Sequence, residues 1–63
     1  MKYYLQDLLG RSKENAIAKI TYDEIDYRIT REDNTNYMIT CDFDMERVNL
    51  EIESDIVVSA ELG

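Results

Sequence analysis

The chain has no histidine, no proline and one cysteine among its 63 residues. Cys41 has no partner for an internal disulfide, so no covalent staple holds the fold, which suits a reducing compartment. The missing histidine removes the usual base for a nucleophilic thiol or hydroxyl. The flanking carboxylates of Asp42 and Asp44 further disfavour a thiolate at Cys41, so enzyme chemistry there is not expected. No apolar run reaches bilayer-spanning length, and the N-terminal stretch lacks the apolar core and cleavage site of a secretory leader. Nothing proline-rich, low-complexity or repeated divides the chain. These absences predict a single soluble, cytoplasmic domain over residues 1–63, with no cofactor and no metal.

A chain this short supports one thin core whose burial barely offsets the entropy of ordering it, so an interior substrate pocket is not expected. Fourteen acidic residues against seven basic give a net charge of −7. That balance argues against DNA and anionic membranes as partners and fits a basic protein partner, or simply a solvated acidic surface. The tyrosines and Phe43 lack the basic groove that base stacking needs; Tyr22 and Tyr27 are expected to cover the edge of the core instead. Asp42, Asp44 and Glu46 alternate with Cys41, Phe43 and Met45 but have neither the spacing nor the central glycine of a calcium loop.

Leu5, Leu8 and Leu9 suggest a short apolar turn ending at Gly10, a residue able to take the left-handed conformation. Ser12 reads as an N-cap with Glu14 favourably placed in the first turn, and predicts a helix from about Lys13 to Thr21 or Tyr22. Ala16, Ile17 and Ile20 give that helix its apolar face, with Lys13, Glu14 and Lys19 on the wet side. From Ile25 to Arg31 the period falls to two, with Ile25, Tyr27 and Ile29 on one face and Asp26, Arg28 and Thr30 on the other. After the turn-forming cluster "EDNTN" comes an irregular run, Tyr37 to Glu46. A strand from about Arg47 to Glu53, a tight turn at Ser54 and Asp55 and a strand from Ile56 to Leu62 complete the chain. One helix on a small three-stranded sheet, an α+β arrangement, is the economical packing. If "EDNTN" closes a hairpin, a fourth strand joins; if not, the run is an exposed loop, and long loops in small domains are usually functional.

The order of "LLGRSKENAIAKI", "ITCDFDMERVNLEIE" and the final "SAELG" resembles the potato inhibitor type I proteins of plants, and more closely the short bacterial and fungal elastase inhibitors. The resemblance covers Leu8 to Gly63. Its most specific part is Ile39, Thr40, Cys41, Asp42 and Phe43, followed by Arg47 opening the strand at Val48. It implies a mixed sheet in which two parallel strands are joined by an exposed protease-binding loop. That loop, Ile39, Thr40, Cys41, Asp42, Phe43 and Asp44, would offer the Cys41–Asp42 bond to a serine protease, with Cys41 in the primary pocket and Thr40 and Ile39 along the cleft as an added strand. A small uncharged side chain there suits a subtilisin- or elastase-like enzyme.

With no disulfide, polar bonds must keep such a loop rigid. Arg47 is the expected brace, its fork reaching Asp42 and the loop from beneath while Gly63 pairs with it from the other side. The sequence departs from the family pattern at Asp44 and Asn49, where plant members carry basic residues, and at Met45, where many bacterial members carry proline. These departures motivate a second expectation: the same fold as a non-inhibitory interaction module, binding another host protein or forming a homo-oligomer, in the manner of a viral counter-defence factor.

Overall fold

The structure, a computed structural model, describes residues 2–37 and 42–63. Among these residues run helix α1 (Lys2–Leu8), helix α2 (Lys13–Tyr22) and strands β1 (Asp26–Glu32), β2 (Thr35–Asn36), β3 (Arg47–Glu53) and β4 (Ile56–Leu62).

Local chemistry fixes both ends of α2. Ser12 stands at φ −63°, ψ 154°, outside the helix, and its Oγ accepts the Asn15 N–H at 3.1 Å. This satisfies one of the donors that a helix start leaves unpaired. At the other end the Glu24 N–H reaches Thr21 O at 3.1 Å and the Ile25 N–H reaches Ile20 O at 3.1 Å. Glu24 itself takes φ 58°, so this is a Schellman stop built on a residue other than glycine. Helix α1 ends at Leu8 and the chain turns at Gly10 with φ 85°; the Gly10 N–H and the Arg11 carbonyl bond to Val57 at 2.9 Å each and the Lys13 N–H bonds to Asp55 O at 2.8 Å. The connection between the helices thereby occupies part of the outer edge of β4, where unpaired backbone groups would otherwise face solvent.

The sheet order is β2-β1-β3-β4. Strands β3 and β4 form an antiparallel hairpin, whereas β1 lies parallel to β3 with Asp26 opposite Arg47 and Arg28 opposite Asn49. The α+β class and the mixed sheet are as expected. The three-stranded expectation gives way to the four-stranded alternative: "EDNTN" closes a hairpin, in which β2 pairs Thr35 and Asn36 with Glu32 and Arg31. Two exposed polar residues carry no hydrophobic period, and so short a strand cannot announce itself.

Strand β3 alternates cleanly. Val48, Leu50 and Ile52 are buried and join Leu8, Ala16, Ile20 and Val57 in the core, with Tyr4, Leu5, Ile25, Ile29, Ala60 and Leu62 packed around them. Arg47, Asn49 and Glu51 take the other face and are half-buried. The tyrosine expectation is also corrected: Tyr22 is 88 % exposed and Tyr27 38 %, so neither closes the core. Tyr4 does so from α1, with its hydroxyl donating to Asp23 Oδ2 at 2.8 Å and the Lys19 Nζ 5.1 Å from its ring centre. Lys13 and Lys19, expected to stay wet, are half-buried in ion pairs with Glu32 at 2.7 Å and with Asp23 at 3.6 Å.

Candidate functional site

The chain leaves β1 by its turn with β2 and returns at β3, and because β1 and β3 are parallel this connection must cross from one end of the sheet to the other. Tyr37 begins it, donating its N–H to Thr30 O at 3.0 Å. Of the residues expected to contact a protease, Ile39, Thr40 and Cys41 lie outside the described residues; Asp42, Phe43 and Asp44 lie within them.

Asp44 shapes the return to the sheet. Its Oδ1 accepts the Glu46 N–H at 2.8 Å and its carbonyl accepts the Arg47 N–H at 3.2 Å, a turn of the kind that aspartate side chains favour. This turn sets Phe43 and Met45 into solvent, 71 % and 70 % exposed.

Arg47, the first residue of β3, projects on the polar face. Its Nη2 donates to the Asp42 carbonyl at 3.0 Å and its Nη1 lies 3.5 Å from the Asp42 carboxylate. The same guanidinium reaches Gly63 O, through Nε at 3.0 Å and Nη2 at 2.9 Å. The Gly63 N–H returns a bond to Arg47 O at 3.0 Å. One planar fork thus ties the loop to the residue after β4. The Asp42 carboxylate is 63 % exposed, so its charge pairing with Arg47 is worth little alone, and the carbonyl contacts contribute most of the restraint.

Gly63 is buried, and a Cβ there would stand 2.7 Å from the Asn49 Nδ2 and 3.7 Å from the Phe43 ring. Only glycine fits without displacing Asn49. Arg28 was not foreseen in this cluster. Its Nε donates to Asn49 Oδ1 at 2.7 Å and its Nη2 to Gly63 O at 3.2 Å, while the Asn49 Nδ2 donates to the same oxygen at 3.3 Å. The alternation of β1 places Arg28 on the polar face, but its partners follow from the parallel register, which the sequence does not display.

An open cleft of about 420 Å³ lined by Lys13, Glu14, Ile17, Ala18 and Asp55 shares no residue with this cluster. Lys13 there is committed to Glu32, whose hydrogen bond raises the lysine pKa. Elsewhere on the polar face Arg31 bridges Glu51 at 2.9 Å and Glu53 at 3.2 Å. No group of three or more His, Cys, Asp or Glu suited to a metal ion occurs among the described residues. The sequence matches no protein-family model and no curated protein.

Proposed function

We propose that the protein is a substrate-like inhibitor of a subtilisin- or elastase-like serine protease, of the potato inhibitor I type, that presents Ile39 to Asp44 and offers the Cys41–Asp42 bond. The observation that supports this reading is the Arg47 fork, which grips Asp42 by its carbonyl and carboxylate and, through Gly63 O, the residue that follows β4. A held loop loses little entropy on docking, and after cleavage its new amine at Asp42 stays near the acyl group and favours rejoining over release. On this reading the chain carries out no catalysis of its own; Cys41 occupies the enzyme's primary pocket as a small uncharged group.

Titration of the purified chain against subtilisin and a pancreatic elastase, with a chromogenic substrate and intact-mass detection, tests the proposal. Tight inhibition with slow cutting at Cys41–Asp42 is the expected outcome. Absence of any effect on either enzyme, with Cys41 and Arg47 variants behaving as the parent does, overturns it.

One observation favours a second reading, a non-inhibitory module that binds another protein or a second copy of itself. Phe43 and Met45 are large apolar side chains left in water at the mouth of the loop, and such exposure is resolved when a partner covers it. A stable homodimer or a non-protease complex that survives Cys41 substitution would support it over the inhibitor reading.

A further inference from the structure

We infer that Arg28 is a positioning residue for the loop: from β1 it fixes Gly63, and through Gly63 it aims the Arg47 guanidinium that holds Asp42. The inference deepens the proposed function and rests on the loop being the working segment. Three side chains from two neighbouring strands converge on the single Gly63 O: Arg28 by Nη2 at 3.2 Å, Arg47 by Nε and Nη2 at 3.0 and 2.9 Å, and Asn49 by Nδ2 at 3.3 Å. Arg28 also holds Asn49 Oδ1 at 2.7 Å, which closes a ring of hydrogen bonds through Arg28, Asn49 and Gly63.

The geometry divides the labour. Arg47 reaches both the carbonyl and the carboxylate of Asp42, and half of its fork is spent on Gly63. A guanidinium on a long stem keeps one rotamer only while its acceptors stay fixed. Gly63 follows β4 and has no side chain with which to anchor itself. Arg28 supplies the anchor from β1, the strand that leads into the loop, whereas Arg47 stands on β3, the strand that receives it. Both stems of the loop are therefore referred to one oxygen. Without Arg28, Gly63 O would keep, besides the Arg47 guanidinium itself, only the neutral Asn49 amide at 3.3 Å, a weaker bond than one from a charged donor.

The test uses the full chain as parent, R28A, R28K and R47A, with two readouts. Amide hydrogen exchange is followed at Phe43 to Arg47 and at Gly63, against Leu50, Ile52 and Val57 in the core; cutting by subtilisin at Cys41–Asp42 is followed by intact mass. R28A is expected to speed exchange on the loop side on the order of tenfold, the scale of one lost charge-assisted bond, while core amides change by no more than about twofold. It is also expected to speed cutting. R28K restores part of the effect, because one ammonium reaches Asn49 Oδ1 or Gly63 O but does not span both as the fork does.

Loop amides that are unchanged in R28A while R47A frees them would overturn the inference. So would an equal acceleration of core and loop amides, which marks a merely structural residue. If R28A does not fold, the R28K comparison decides by the same criterion. If the parent inhibits neither protease, the inhibitor reading falls, and the exchange pattern still decides the role of Arg28.

Discussion

Asp33 and Ser54 belong to different turns, yet the Asp33 Oδ1 accepts the Ser54 N–H at 2.8 Å. The Asp33 N–H in turn donates to Ile52 O at 2.8 Å, so the turn leaving β1 and the turn joining β3 to β4 are fastened to each other. Asp33 at φ 55°, Ser54 at φ 50° and Asp55 at φ 68° all stand in the left-handed region. None of them is glycine. D33A removes an acceptor and places alanine at positive φ, and is expected to cost about 1–2 kcal/mol; D33N keeps an oxygen and tolerates the backbone, and should cost less than half as much. Urea denaturation at constant slope reads both, and equal midpoints for the two variants would refute the account.

Glu24 ends α2 in the same left-handed region, at φ 58°, with an exposed side chain. Glycine takes that conformation without the Cβ penalty, so E24G should raise stability by about 1 kcal/mol even though it removes atoms. The thermal midpoint should rise; a fall would mean that the unfolded chain's extra freedom outweighs the relieved strain.

Tyr4 provides the pH signature. Burial, then its hydrogen bond to the Asp23 carboxylate and that group's charge, push the phenol from 10.0 up to about 12. Because the folded state holds this proton more tightly than the unfolded one, the contribution is complete below pH 10.0 and is lost as pH climbs through about 12. Tyrosinate absorbance should show a late step that Y4F removes, and the alkaline loss of stability should be shallower in Y4F.

Arg47 separates charge from geometry. R47K keeps the positive charge and the alkyl stem but cannot serve Asp42 O and Gly63 O together as the fork does. Fold stability is expected to fall by about 1 kcal/mol, whereas cutting of the loop by subtilisin should accelerate by more than that loss accounts for. Parallel changes in the two measurements would deny Arg47 a specific part in holding the loop.

Much of this was legible because periodicity and capping are local. Ser12 announced α2, and Val48, Leu50 and Ile52 announced β3, since each pattern is written in consecutive residues. Helix α1 was read only as a turn before Gly10; Leu8 is held by the core it enters, and the burial of a short helix is a tertiary effect. Arg47 and Gly63 are the loop supports that the sequence leads one to expect, and the Arg47 guanidinium meets Gly63 O at 3.0 and 2.9 Å. Arg28 was assigned to the correct face but given no role, because its value depends on Asn49 standing opposite it in a parallel strand. The tyrosines mislead because local period does not say which aromatic the core will cover: Tyr22 and Tyr27 are exposed, while Tyr4 from α1 packs against the core and reaches Asp23.

The parallel pairing of β1 with β3 has an economic consequence for redesign. A crossover loop's closure entropy grows only with the logarithm of its length, so doubling it costs about 0.6 kcal/mol. Among the described residues the core lies in the helices and strands, and Asp42 is held by a side chain on β3 that is itself supported from β1. Residues inserted between Tyr37 and Asp42 are therefore expected to cost the fold no more than that closure term, so the connection between β1 and β3 is the place at which this small frame can be lengthened.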